Sequence, residues 1–360
     1  MTTAYVSLSV QVAQVITAHI EAGRWVDWLP GERTLVTELT VSRKTVRKAL
    51  ALLEHDGMIV AESGKGHRIV ASGGAAGEVA AGGSVGLLLP ESVEVMRTFT
   101  NLWINDLRIF LAAHDLRLRV FSGHKYYSKS PSRALERICQ QSPQKVWVLS
   151  HSTEVMQRWF ERRGLPAVVA GSIHGRVKLP SVDLDYQAVC RHAAGTMLRG
   201  GHRQLAIVVG QPERAGDRES ITGFERAIDT QRHPDASVKV FRHDCSPGGV
   251  NRLVQRMLRA VTPPTAILVA NSAHYLAIHT GLAAQGRSIP GEVSLISRDD
   301  DPYLAFVHPE PTRYGCPPAH MARMIGRVLL RIGSEQGLDI RAATLMPEMI
   351  KGASFKRLVG

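Results

Sequence analysis

Arg43, Lys44, Arg47 and Lys48 stand at i, i+1, i+4 and i+5, and no acidic residue lies between Glu38 and Glu54. On a helix this spacing gathers four cations on one side, because residues three and four apart share a face. Such a face suits one kind of chemistry. A guanidinium pairs bidentately with guanine O6 and N7, and an ammonium meets phosphate oxygens. Lys65, between Gly64 and Gly66, adds a charge at a point where the backbone itself can approach a polyanion closely. A solvated basic helix face is the plainer reading of the same residues, so the elements around them must decide.

Other chemistries find little support. GxSxG, HExxH, Walker A and GxGxxG sequences are absent, so the common hydrolase, metallopeptidase and nucleotide-binding signatures do not apply. No two histidines are spaced i, i+4, and the closest pair, His274 and His279, falls on different helix faces. Cys139, Cys190, Cys245 and Cys316 are widely separated, with no CxxC pair for zinc or redox work. The expectation is therefore no catalytic residues, no metal and no cofactor.

The elements that would position the basic face are legible. Leu8, Val12, Val15, Ile16 and Ile20 mark an amphipathic helix closed by Gly23. Leu29-Pro30-Gly31 breaks the chain, a short helix spans about 32–39, and Thr40-Val41 makes a tight turn. Ser42 is a favourable N-cap for a third helix whose apolar side is Val46, Ala49, Leu50 and Leu53, opposite the cations, and which Gly57 ends. Two β-prone pieces, 58–61 and 67–70, flank a hairpin-like tip at 63–66. Three helices and a two-stranded wing within 70 residues describe a winged helix-turn-helix.

Beyond it the composition changes. Residues 71–84, ASGGAAGEVAAGGS, hold no large apolar side chain but Val79 and read as a flexible linker. From residue 85 onward, short apolar runs at 85–89, 116–121, 146–149, 167–170, 205–209, 266–269 and 293–296 alternate with helical stretches. That rhythm belongs to parallel strands covered on both faces, an α/β architecture. The whole chain has 360 residues and a formal charge of +12, yet residues 1–84 carry eight basic and eight acidic residues. The excess lies in 85–360, so bulk charge says little about the head. The first basic residue is Arg24 and no run of about 18 apolar residues exists, which points to a cytoplasmic protein with no membrane contact.

Leu29-Pro30-Gly31-Glu32-Arg33, Val41 to Leu50 (VSRKTVRKAL), Leu53-Glu54, Gly57 and Gly64-Lys65-Gly66 closely resemble the GntR-type winged-helix domain, in its order and spacing over nearly all of 7–70. The resemblance implies binding to double-stranded operator DNA through Arg33, Ser42, Arg43, Thr45, Arg47 and Gly66. Lys44 and Lys65 join this set as phosphate contacts by their charge. Gly31 replaces the usual Ser at the helix entry.

Several later stretches resemble the effector domain of lac-repressor-type regulators, which share the bilobed fold of periplasmic sugar-binding proteins. They are Val85–Pro90, Asp185 to Arg203, Thr222-Gly223-Phe224 with Ala227 (the family's xGFxxA turn), Pro264–Asn271, Val293–Asp300, Pro309 to Arg313 and Thr344–Ser354. The likeness implies a small-molecule effector, a sugar, in the cleft between lobes, held by Arg218, Asn271 and Asp299, with Ser92 as a further candidate. Ser220 and Cys245 occupy positions where relatives place an Arg and a stacking aromatic. Ser272 and Ser297-Arg298 are further departures.

The expected protein thus has a winged-helix head at 1–70, a linker at 71–84 and an α/β bilobed periplasmic-binding-protein-like domain at 85–360. It acts as a homodimeric transcriptional repressor, a pairing seen in GntR proteins of the arabinose-repressor type. Two alternatives are a cytoplasmic binding protein whose head is an interaction module, and a regulator with no sugar effector.

Overall fold

Val12, Ile16 and Ile20 of the first helix, α1 (Leu8–Glu21), are buried, as their four-residue spacing requires. Val15 is exposed instead, since it sits off that stripe. The computed structural model describes residues 8–21, 24–25, 27–55, 58–62, 66–69, 83–211, 214–231, 233–332 and 342–358. Leu29, Leu35 of α2 (Glu32–Leu39), and Val46, Ala49, Leu50 and Leu53 of α3 (Arg43–His55) complete one core with α1. Each of these Val, Leu and Ile side chains contributes about 1.5–3 kcal/mol by leaving water. The wing is an antiparallel pair, β1 (Ile59–Glu62) and β2 (Gly66–Ile69), which turns Ile59 and Ile69 into the core as cross-strand neighbours. Trp28 bridges to Arg68, so the segment before α2 extends the wing by one short pairing. Gly23, Gly57, Lys65, Val70 and linker residues 71–82 lie outside the described residues.

The chain divides into two compact units, Met1–Val79 and Ala80–Gly360. The second is built on two six-stranded sheets. In the first lobe β3 (Ser84–Leu89), α4 (Thr98–Ala112), β4 (Arg117–Ser122), α5 (Ser132–Gln141), β5 (Val146–Ser150), α6 (Glu154–Arg163), β6 (Ala167–Ala170) and β7 (Ser181–Leu184) alternate. The second lobe holds α7 (Tyr186–Arg199), β8 (Gln204–Gly210), α8 (Ala215–Gln231), β9 (Ser237–His243), α9 (Pro247–Leu258), β10 (Ala266–Val269), α10 (Ser272–Ala284), β11 (Ser294–Ser297) and β12 (Thr312–Gly315). The chain then returns to the first lobe for α11 (Pro318–Ile332) and β13 (Ala343–Leu345), and ends in the second with β14 (Glu348–Ile350). The sheet orders are β13-β7-β6-β5-β3-β4 and β14-β12-β11-β10-β8-β9, parallel throughout except that β14 runs against β12.

All seven apolar runs are strands. The strands that the sequence missed are β7, β9 and β12, which are short, lie at or near sheet edges, or alternate with polar residues, while β13 and β14 overlap 344–354, where the resemblance expected the final strand. Ser84, the expected last residue of the linker, opens β3. Thr222-Gly223-Phe224 is another correction: these residues lie inside α8, where the resemblance expected a turn. Gly223 is needed there because α7 passes so close that a Cβ would meet the Gln187 carbonyl at 2.1 Å. No described helix is long and apolar enough to cross a membrane.

Among the described residues the chain crosses between lobes three times, after β7, after β12 and after β13, and Asp185 N–H donates to Leu345 O at 2.8 Å to tie two crossings together. Across the cleft, Ser172 stands between two carboxyls, Asp183 at the end of β7 and Glu219 of α8, the latter at 3.1 Å. One hydroxyl has one proton to give, so a protonated Asp183 completes the chain. Burial pushes the Asp183 carboxyl up to about 7, with Ser172 and the Leu184 N–H opposing, and burial raises Glu219 too.

Two outcomes are expected. Gly223→Ala should destabilise the second unit by about 1–3 kcal/mol through overpacking, read as a lower urea midpoint; an unchanged midpoint contradicts the close helix approach. A carboxyl whose folded pKa is raised binds its proton more tightly when folded, so its stabilisation is lost as pH rises from about 4 to about 7. Asp183→Asn should therefore flatten the decline of thermal stability over that window, by an amount on the order of a few kcal/mol at ~1.4 kcal/mol per pKa unit. An identical pH profile in the variant would remove Asp183 as its source.

Candidate functional site

In the head, the Ser42 hydroxyl caps α3. It accepts from Thr45 N–H at 3.2 Å and lies 2.8 Å from the Thr45 hydroxyl, while the Ser42 carbonyl accepts from Val46 N–H at 3.1 Å. Thr40 (φ 53) makes the left-handed corner between α2 and α3. With Val46, Ala49, Leu50 and Leu53 facing the core, Arg43, Lys44, Arg47 and Lys48 are exposed along a shallow depression floored by Ala51. Arg33 is exposed on α2, and Gly66 opens β2 at φ 99, a conformation that favours glycine.

One feature of this face was not visible in the local sequence. Glu32 of α2 accepts from Arg43 Nε at 2.8 Å and from Arg47 Nε at 3.1 Å. The absence of acids between Glu38 and Glu54 therefore does not leave the face unneutralised. The hydrogen bond from Arg43, with that from Arg47, holds the Glu32 carboxyl below its ordinary range although partial burial opposes it. Both guanidiniums remain more than half exposed, at 58% and 61%. The Nε edges are anchored and the fork ends are left for a ligand. A pair so exposed is itself weak.

In the second unit the carboxyl ends of the strands face the cleft, as parallel sheets require of a binding site. Asp299, just beyond β11, is buried at 5% exposure. Arg298 donates to it from Nε at 3.0 Å, and Arg97, from the other lobe, forms an ion pair with Oδ2. Burial alone would raise this carboxyl, but Arg298 and Arg97 more than reverse that and hold it down at about 2. Arg298 also reaches Ser220 at 2.9 Å and Asp217 at 3.2 Å, and its guanidinium lies 4.1 Å over the Tyr186 ring. Asp300 pairs with Arg313 at 2.7 Å, and Asp301 accepts from the Ser272 hydroxyl. The departures at Ser220 and Arg298 are thus mutually compensating, while Ser272 is satisfied separately by Asp301.

The expected cleft residues are only partly brought together. Asp299 and Ser220 share Arg298, and Ser220 is fully buried, donating to Gly216 O. Arg218 reaches His174 of the other lobe at 2.8 Å. The Asn271 side-chain oxygen Oδ1 caps α10, accepting from the Ala273 and His274 N–H groups. Ser92 is exposed in the loop after β3, beside Glu94. Cys245 is exposed at φ 60 beyond β9. Sequence reasoning missed Arg97 and the cleft histidines, because no local spacing links them. Burial pushes His151 down to about 3 and His274 to about 4, and it lowers His243 and His174, so burial favours the neutral imidazole at each. The expectation of no metal-binding group also meets a contrary observation, since His243, Cys245 and His274 place their donor atoms within 4.8 Å of one another. Strand ends far apart in sequence meet there, which helix periodicity does not reveal.

The geometry agrees with comparisons to known proteins. Residues 8–69 match the bacterial regulatory proteins of the gntR family, and residues 194–355 match the periplasmic binding protein-like domain. Catabolite control protein A of Priestia megaterium is 23% identical over 195 residues, which is 54% of this chain and 59% of that protein. The chain spans 49–60% of the length of the first three curated relatives it matches. Among solved structures, the transcription regulator CcpA of Lactococcus lactis superposes with a TM-score of 0.67 at 17% identity, covering 76% of this chain and 100% of that one. The transcriptional regulator CelR–cellobiose complex gives 0.67 at 18% identity, covering 87% and 91%. The chain therefore joins a winged helix-turn-helix domain of the GntR family to a periplasmic-binding-protein-like domain with the fold of LacI-family regulators.

Proposed function

We propose that this protein is a cytoplasmic, sequence-specific DNA-binding transcriptional regulator, a repressor, whose operator affinity is set by a small molecule in the cleft of its second unit. The observation that carries this reading is α3. It is capped at Ser42, buried on its Val46/Leu50/Leu53 side, and presents Arg43, Lys44, Thr45 and Arg47 on the other. That is the arrangement by which a recognition helix enters the major groove. Arg33, Gly66 and Lys65 add flanking contacts to the duplex in this reading. No catalytic role is proposed for any residue.

The effector is of the sugar class, supported by the cellobiose complex of CelR among the structures of like fold. In this reading Asp299, Arg218 and Asn271 supply polar contacts to ligand hydroxyls, with Ser92, Ser220 and Cys245 around them. Two chains form a two-fold dimer that places recognition helices in successive major grooves. Leu102 and Ile109, seven residues apart on one face of α4 and exposed at 45% and 63%, are suited to such an interface. An effector that binds one lobe arrangement more tightly shifts operator affinity; a coupling of about 1–3 kcal/mol corresponds to about 5–150-fold.

Arg43→Ala and Arg47→Ala are each expected to weaken operator binding by about 1–3 kcal/mol, with unfolding unchanged. Fluorescence anisotropy across a salt series checks this, and equal affinity in both variants would remove α3 from the interface. Asp299→Asn should abolish the response of DNA binding to sugar while the head still binds operator. Because it leaves the buried Arg298 with Asp217 as its remaining carboxylate partner, the variant should also unfold earlier, by up to about 3 kcal/mol. Release of DNA at the wild-type sugar concentration would overturn the effector role of Asp299.

A further inference from the structure

We propose that His243, Cys245 and His274 form a site for one thiophilic divalent metal ion, such as zinc, at the cleft-facing end of the second lobe. The three residues come from the end of β9, the loop beyond it and the first turn of α10, and their donor atoms lie within 4.8 Å of one another. A tetrahedral ion with bonds of about 2.0–2.3 Å holds its donors about 3.3–3.7 Å apart, so side-chain rotations together with a turn of the Cys245 peptide close the site. A sulfur and two imidazoles select zinc, cobalt or copper over magnesium or calcium.

Independent features point to a ligand there. His243 is 4% exposed, and its Nε2 is buried with no hydrogen-bond partner. A buried polar nitrogen left so is unfavourable and calls for an ion or water to meet it. Its other nitrogen, Nδ1, accepts the Cys245 N–H at 3.0 Å. Cys245 itself is held at φ 60, a region non-glycine residues rarely enter, and such outliers gather at ligand sites. Gly210 makes room for the sulfur, since a Cβ there would lie 2.6 Å from Sγ. The His243 and His274 rings meet edge to face, with centroids 4.3 Å apart. Asp217 contributes negative potential at both rings, while Arg97 and Arg214 act in the opposite sense on His274. The thiolate supplies the remaining negative charge when the Cys245 thiol releases its proton to solvent on binding.

A metal at Nε2 gives that nitrogen its partner and moves the ring proton to Nδ1, so the Cys245 peptide must turn its N–H away. No fourth His, Cys, Asp or Glu joins the cluster among the described residues. The remaining coordination position is thus left to water or to a ligand in the cleft.

The test is zinc binding by the full-length reduced protein in competition with a chromophoric chelator, together with the cobalt spectrum. One ion per chain and a thiolate-to-cobalt charge-transfer band are expected. Cys245→Ser should abolish the band, and it and His274→Gln should each weaken zinc by more than about 100-fold, since even outer partners of a bound metal are worth 10–100-fold. Cys139→Ser should change neither. Zinc affinity that survives Cys245→Ser, or cobalt binding without the band, overturns the site. Cys245 is exposed, so its variant is expected to fold even if His274→Gln does not. Neither DNA nor sugar enters the assay, so its failure would leave the reading of the head intact, and a failed operator experiment would leave the metal site standing.

Discussion

Asp299 is a carboxylate removed from water and held between two guanidiniums, and the arrangement of the cleft follows from keeping it charged. One partner, Arg298, is its sequence neighbour in the second lobe; the other, Arg97, reaches over from the first. Burying such a charge without partners is prohibitive, and with two of them it becomes a fixed point to which both lobes are tied. Arg298 is in turn satisfied by Ser220, Asp217 and the face of Tyr186, which explains why the residue at 220 is a small hydroxyl. An arginine there would set a second cation against the first. The same constraint makes the ion pair across the lobes a natural point of control, because anything that competes for Arg97 or Asp299 alters how the lobes meet.

The clasp at Asp183, Ser172 and Glu219 obeys a related rule with the opposite outcome. Lacking a close cation of its own, Asp183 answers burial by holding its proton, whereas Asp299 answers it by recruiting arginines. Both devices span the cleft, one polar and proton-dependent, the other ionic. In the head, electrostatics are handled more lightly. Glu32 orients two arginines that stay largely solvated, so the basic face keeps its shape before meeting any partner while giving up little of its exposed hydrogen-bonding surface.

How much of this was legible in the sequence varies by element. The head is almost wholly readable, because its helices are amphipathic, its cap is Ser42 and its core positions recur at helical spacing. The α/β unit is readable through strands such as β5 and β10, whose every residue is buried and apolar apart from Ser150 at the end of β5. An edge strand such as β9 escapes, since a partly exposed strand carries charged and polar residues that blur its pattern. Asn271 is a residue type suited to capping a helix, and the structure shows that it caps α10, since only the fold fixes where that helix begins.

By itself, then, the sequence determined the two kinds of domain, the basic face of α3 and the strands of the interior, because each rests on periodicity or on contacts between near neighbours. Only the tertiary structure decided which charges meet. Glu32 with Arg47, Arg97 with Asp299, Arg298 with Ser220, and His243 with Cys245 and His274 are pairings set by how strands are ordered and lobes folded back. Coulomb and hydrogen-bond energies depend on distance in space, and across 15, 202 or 78 residues of chain no local pattern records that distance.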